Sequence, residues 1–393
     1  MLSQNVLKLR KECFGGTLFD IVSGKRVYVN NAEFKSIEHN HNLDDRLASE
    51  LRMSGGVDII KPAWIPDFNF SAPDTVFFEV TRACNLRCIH CFNNSGVKTR
   101  DELTLDQCLF VIEDLVKTGV QEIRFTGGEP MILDGIEELL SRANALNLRI
   151  SMGTNAVLAT AEKVEGLAKF LHMAVVSIDG TEERHDAIRG KGTFKKTMEG
   201  MENLLSQDVK VRVNTVLMRS NILDTIELAK YLYSRDISLF IRRLIPSGRA
   251  LDMSDEMLSK DEYENVRTQL LPYLEDPRGL TQGHYLSEKE IKTRIPLPFR
   301  RSNCSAGHRG MVILPNGEIQ TCGFLGPLGE QSVGKIPDES LVTIWKRLLL
   351  SNHISSLEKN LEPHNKCSTG PCTNCLAIAL ATCGSNQSAR GDL

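Results

Sequence analysis

From residue 75 to about 241 the chain alternates short runs of β-branched and aromatic residues with longer stretches whose apolar positions recur at helical spacing. The strand-like runs are 76–80, 122–125, 148–152, 174–178, 209–216 and 237–241. Helix patterns fall between them, near 104–118, 134–146, 161–170, 194–206 and 222–235, and Gly119 directly after the first is a normal helix stop. Strands alternating with helices predict right-handed βαβ units and a parallel sheet. Six units are too few to close an eight-stranded barrel, so an α/β fold is expected, a partial (β/α)6 TIM-like barrel over 74–245.

The flanks follow other patterns. Residues 1–73 contain two strand-like runs, 14–20 and 26–30, joined by a Ser23-Gly24 turn, which predicts a small N-terminal β-hairpin element and a linker. Residues 246–301 are charged and mostly helical in pattern, ending in Ile295-Pro296-Leu297-Pro298, and are read as a connector. A cysteine-rich unit occupies 302–393, with a hairpin over 311–321 built on an Asn316-Gly317 turn.

Composition narrows the function. The 393 residues suit a barrel with appendages. A formal charge of −3 gives no basic footprint, so nucleic acid is not an expected partner. No apolar run reaches the length of a membrane span, and Met1-Leu2-Ser3-Gln4-Asn5 does not open a signal peptide, so a cytoplasmic protein is expected. Eleven cysteines in such a protein argue for metal or redox chemistry rather than disulfides. Three of them lie at 84–91 and six at 304–383, leaving Cys13 and Cys108 apart. Cys108 shares an apolar helix face with Leu105, Leu109, Ile112 and Leu115 and reads as core.

Cys84, Cys88 and Cys91 form a C-x3-C-x2-C run directly after the first barrel strand. Three thiolates can hold three irons of a four-iron cluster and leave the fourth without a protein ligand. A metal with an open position is a reactive metal. A structural zinc site completed by His90 or a distant residue is the alternative, although zinc favours paired C-x2-C knuckles. Active sites of parallel α/β folds gather at the carboxyl ends of the strands. Thr126-Gly127-Gly128-Glu129-Pro130 follows the second strand, Gly153-Thr154-Asn155 the third and Asp179-Gly180 the fourth, so all share the rim of the cysteine run. The paired glycines would let main chain approach a ligand without a Cβ in the way.

The cysteine run, with an aromatic after its last cysteine and Val80-Thr81-Arg82 before it, resembles the radical S-adenosylmethionine (SAM) enzymes. The resemblance implies that Cys84, Cys88 and Cys91 bind a [4Fe–4S] cluster whose open iron is chelated by SAM. Reductive cleavage of SAM would then give a 5′-deoxyadenosyl radical that abstracts a substrate hydrogen, with a reductase such as flavodoxin or ferredoxin supplying the electron. Gly127, Gly128 and Glu129 match the motif whose backbone meets the SAM amino group. Asn155, Ser177 and Asp179 are candidates for the ribose hydroxyls, with Asn214 a further one. Arg189, in His185-Asp186-Ala187-Ile188-Arg189-Gly190, is placed by resemblance at the SAM carboxylate, as a guanidinium fork suits.

The C-terminal cysteines resemble the SPASM and shorter twitch extensions that carry auxiliary iron–sulfur clusters. Cys304, Cys322, Cys372 and Cys375 are the preferred ligands of one auxiliary [4Fe–4S] cluster, with Cys367 as substitute and Cys383 available to a second. This chain has six cysteines there, fewer than the full SPASM pattern, and a zinc ribbon would also suit such spacings. Most SPASM and twitch enzymes act on ribosomal peptides, and the N-terminal runs loosely resemble leader-recognition elements that add a peptide to a sheet edge. Maturation of a ribosomally made peptide, by crosslinking or side-chain modification, is the first expectation. The alternative is a small-molecule reaction, in tetrapyrrole or haem-type modification or sugar-alcohol dehydrogenation. The sequence marks no catalytic acid or base.

Overall fold

The computed structural model describes residues 7–40, 57–67, 69–274 and 305–351, with 43, 45, 47, 48, 353 and 377 besides. The chain opens with β1 (Leu7–Glu12), β2 (Gly15–Asp20) and β3 (Arg26–Asn30), then α1 (Asn31–Asn40) and β4 (Val57–Ile60). These strands form one sheet in the order β3-β2-β1-β4, with β4 parallel to β1. The N-terminal element is thus larger than the expected hairpin. Its first strand was hidden because Lys8, Arg10 and Glu12 interrupt the apolar run, yet all three are buried.

The central body alternates as the sequence predicts, with one further helix at Glu182–Arg189 that the sequence pattern did not show. Its strands are β5 (Thr75–Glu79), β6 (Glu122–Thr126), β7 (Arg149–Thr154), β8 (Met173–Ser177), β9 (Val211–Leu217) and β10 (Ser238–Arg243). Between them run α2 (Leu105–Thr118), α3 (Ile136–Ala145), α4 (Ala161–Ala168), α5 (Glu182–Arg189), α6 (Thr193–Ser206) and α7 (Ile222–Ser234). Each neighbouring strand pair from β5 to β10 is parallel. The first helix shows why the boundaries were legible: Thr104 and Gln107 form a reciprocal capping box, and Gly119 ends the helix at φ 99°. The core lies between sheet and helices, where Val76, Phe78, Ile123, Phe125, Ile150, Met152, Val176 and Val213 meet the helices' apolar faces. Cys108 belongs to that core.

After β10 come α8 (Lys260–Leu270), then β11 (Gly310–Ile313), β12 (Glu318–Gln320), β13 (Gly334–Lys335) and α9 (Leu341–Leu350). The expected Asn316-Gly317 hairpin is present, with Gly317 at φ +84° and Ile313 opposite Ile319. It does not stand apart. β11 pairs in parallel with β5, so the main sheet runs β10-β9-β8-β7-β6-β5-β11-β12-β13. Trp345 of α9 is fully buried and donates its indole N–H to Phe70 O at 3.1 Å.

The small sheet docks on the amino ends of the barrel strands. Arg10 is completely buried and pairs with Asp74 Oδ1 at 2.7 Å and Glu12 Oε1 at 2.6 Å. The same guanidinium donates to Pro73 O and Gly119 O. Arg149, the first residue of β7, donates to Ile21 O and Val22 O, and Arg26 pairs with Glu122 at 3.5 Å. The barrel is therefore capped at the end opposite the cysteine run. Among the described residues no helix is long and apolar enough to cross a membrane.

Candidate active site at the barrel rim

The cysteine loop leaves the tip of β5 and is closed at its base by backbone bonds, Cys84 N to Gly96 O and Gly96 N to Arg82 O. Glu102, which sequence reasoning passed over, pins that base: it accepts from Arg82 N at 2.8 Å, Thr99 N at 3.0 Å and Thr81 Oγ1 at 2.9 Å. The tip of β6 lies directly against the loop. Gly128 N donates to Thr81 O at 2.7 Å and Glu129 N to Ala83 O at 2.9 Å. A Cβ on Gly128 would sit 2.0 Å from Ala83 O, and one on Gly127 2.4 Å from Thr81 O. Only glycines permit this approach, and Gly127 also has φ +128°.

The thiols are set among donors. Leu86 N stands 3.5 Å from Cys84 Sγ, Asn155 Nδ2 3.9 Å from the same sulfur, and Arg189 Nη1 3.9 Å from Cys88 Sγ. Burial pushes the Cys84 thiol up to about 11 and raises that of Cys88, with Arg189 opposing the latter. Thiols give up their protons when they bind metal, and N–H donors and positive charge are what sulfur ligands of iron require around them. Among the described residues no three His, Cys, Asp or Glu side chains converge as ligands of a single ion. A four-iron cluster places each thiolate on a separate iron, so this donor set fits it.

The remaining rim residues divide into two groups. Glu129 and Asp179 are fully buried and engaged within the protein. Glu129 accepts from Thr154 Oγ1 at 2.9 Å, Asn155 N at 2.7 Å and Met131 N at 3.2 Å, which ties the tips of β6 and β7 together. Asp179 accepts from His90 Nε2 at 2.7 Å and Arg189 Nε at 2.7 Å on one oxygen and from Val216 N at 2.9 Å on the other. Burial alone would raise its pKa, but Arg189 and His90 hold the carboxylate well below the usual range. Asp179 thus joins the cysteine loop, through His90, to Arg189. Ser177 ends β8 and is half-buried. Asn214, half-buried on β9, accepts from Arg242 Nε at 3.1 Å.

The concave face of the sheet mixes polar and aromatic side chains. Phe77, Arg124, Ser151, Arg212, Asn214 and Phe240 alternate with the core residues of their strands. Arg124 Nε donates to Ser151 Oγ at 3.1 Å, and Arg242 stacks over Phe240 and Phe324 at 5.3 and 5.6 Å. Phe324 lies two residues after Cys322 and meets Phe92, which follows Cys91, with ring centroids 4.5 Å apart. The segment that follows Cys322 is thereby brought against the cysteine loop. Cys304, Cys367, Cys372, Cys375 and Cys383 lie outside the described residues.

A parallel half-barrel with three thiols and paired glycines at one rim is an arrangement suited to an enzyme with an iron–sulfur cofactor. The sequence matches the Radical SAM superfamily over residues 78–232. It is 30% identical over 310 residues to mycofactocin maturase MftC of Mycobacterium tuberculosis, covering 77% of this chain and 76% of that protein. It is 28% identical over 327 residues to the AdoMet-dependent heme synthase of Nitratidesulfovibrio vulgaris, covering 76% and 84%. The fold resembles that of Streptococcus suis SuiB bound to precursor peptide SuiA, with TM-score 0.66 at 17% identity over 86% of this chain and 87% of that one. The chain belongs to the radical SAM superfamily and, with it, uses SAM and a [4Fe–4S] cluster.

Proposed function

We propose that this enzyme matures a ribosomally made peptide, crosslinking it or altering a side chain. The match to the mycofactocin maturases over three quarters of both chains carries this reading. The fold shared with SuiB is consistent with it. In this reading Cys84, Cys88 and Cys91 hold the cluster. When bound and reduced, the cluster and SAM together supply a 5′-deoxyadenosyl radical that takes a hydrogen atom from the substrate. The main chain at Gly127 and Gly128 meets the SAM amino group, Arg189 its carboxylate, and Asn155, Ser177 and Asn214 its ribose side. Asp179, with both oxygens engaged in the protein, orients Arg189 rather than the ribose. Cys322 joins Cys304, Cys372 and Cys375, with Cys367 as substitute, around one auxiliary [4Fe–4S] cluster. A flavodoxin- or ferredoxin-type reductase supplies the electron, and a peptide leader adds to the edge strand β3 of the small sheet.

Relatives named AdoMet-dependent heme synthase favour a second reading, a tetrapyrrole reaction on the same chassis. One experiment separates the two. Anaerobically reconstituted protein, SAM and reductant are mixed with the product of any short open reading frame found beside the gene, or with iron coproporphyrin. A mass change in the peptide with matching release of 5′-deoxyadenosine is expected, absent in Cys88→Ala. Turnover of the porphyrin alone would overturn the peptide reading. The same preparation should carry about eight irons per chain, and about four would remove the auxiliary cluster.

A further inference from the structure

The segment following β10 belongs to the cysteine loop in space, although its sequence reads as connector. Arg249 N donates to Cys91 O at 2.9 Å. Its side chain donates from Nε to Cys88 O at 2.8 Å and from Nη1 to Ser95 O at 2.7 Å and Asn94 Oδ1 at 3.1 Å. A Cβ on the preceding Gly248 would lie 2.3 Å from Phe92 O and 2.6 Å from Cys91 O, so main chain there is pressed onto the loop. One residue therefore ties Cys88, Cys91 and the loop's return limb at 94–95 with four hydrogen bonds. Across the loop, Arg189 Nη1 stands 3.9 Å from Cys88 Sγ. Cys88 thus has one guanidinium at its carbonyl oxygen and another near its sulfur.

We propose that Arg249 is a positioning residue for the catalytic cluster, fixing the spacing of the Cys88 and Cys91 thiolates and favouring the reduced cluster by its charge. A guanidinium suits the first task because its planar fork can hold two acceptors in fixed directions, which an ammonium cannot. The second follows from charge: reduction adds an electron to a buried anionic centre, and a nearby cation makes that less costly. The electron itself comes from an external one-electron reductant, and Arg249 neither donates nor accepts it.

The test uses reconstituted holoenzyme and the reduced-cluster EPR signal that changes on adding SAM, which isolates the catalytic cluster. In Arg249→Ala, a chelator should strip iron from that cluster roughly 10–100-fold faster than in wild type, as for other outer-shell partners of metal ligands. Its midpoint in an EPR-monitored redox titration should move to more negative potential. Arg249→Lys keeps the charge and loses the fork, so its midpoint should stay near wild type while iron loss is still accelerated. Wild-type behaviour of Arg249→Ala in either measurement overturns the proposal. Should the alanine variant fail to fold, a wild-type rate of iron loss in Arg249→Lys overturns it instead.

Discussion

The two ends of the barrel are both buried and rich in polar groups, yet they are built on opposite terms. At the amino end Arg10, Glu12, Asp74, Arg26 and Glu122 face one another as paired charges beneath the small sheet, and Arg10 has no exposed surface. At the carboxyl end Asp179, Arg189 and Glu129 are buried as well, but there they stand among close main-chain contacts at glycines and the thiols of the cysteine loop. One end seals and the other receives. Burial by itself therefore does not mark the functional end of this molecule. What marks it is close packing of backbone where no side chain could fit, beside groups able to give up protons to a metal.

The difference can be broken at each end separately. The largest effect is expected at the rim, from Gly128→Ala, because its Cβ would meet Ala83 O at 2.0 Å and displace the cysteine loop. No measurable 5′-deoxyadenosine and reduced iron content are expected, while circular dichroism retains the native helix content. Normal turnover would mean that the loop is not held where the structure has it. Arg10→Met attacks the other end. Leaving Glu12 and Asp74 buried without their cation should cost about 3–5 kcal/mol in denaturant unfolding. The folded fraction should keep its cluster spectrum, and a lost spectrum would show that the seal also shapes the rim.

The smallest effect concerns protons. Burial, with Arg149 adding to it, holds His172 down at about 4 near the amino end, and burial holds His185 at about 4 near the rim. A depressed histidine refuses a proton that the unfolded chain accepts, so stability falls as pH drops from about 6.5 towards 4. Each should weaken the cluster-free protein by about 2 kcal/mol between pH 7 and pH 5. His172→Gln should remove its share of that slope and leave the rest. An unchanged slope would place His172 in water.

The half-barrel was legible because Val76, Phe78, Ile123, Phe125 and their successors alternate with residues of the concave face. The small sheet's first strand was not, since Lys8, Arg10 and Glu12 look solvent-facing until Asp74, distant in sequence, supplies a partner. Helix α5 was missed for a related reason: its eight residues are mostly polar, and His185 and Arg189 are buried through contacts to Asp179. Among candidate site residues, the glycines and cysteines stood out by type and spacing. Asp179 sits where a ribose ligand was expected and is spent on His90 and Arg189 instead, which no spacing could reveal. Arg249 had one available signal: Ser247-Gly248-Arg249 follows the last barrel strand and so belongs to the same rim as the other loops.

The pairing of β11 with β5 turns the main sheet into a ruler. β5 ends at the cysteine loop, and β11 leads through its hairpin to Cys322, so both loops are graduated on one hydrogen-bonded scale running from Thr75 opposite Gly310 to Phe78 opposite Ile313. A slip of one notch would shift the second loop by about 3.3 Å and turn its side chains to the wrong face. The separation of the two cysteine-bearing loops is thus quantised by strand register. Residues around either loop could change without altering that register, provided the close main-chain contacts at Gly127, Gly128 and Gly248 are kept.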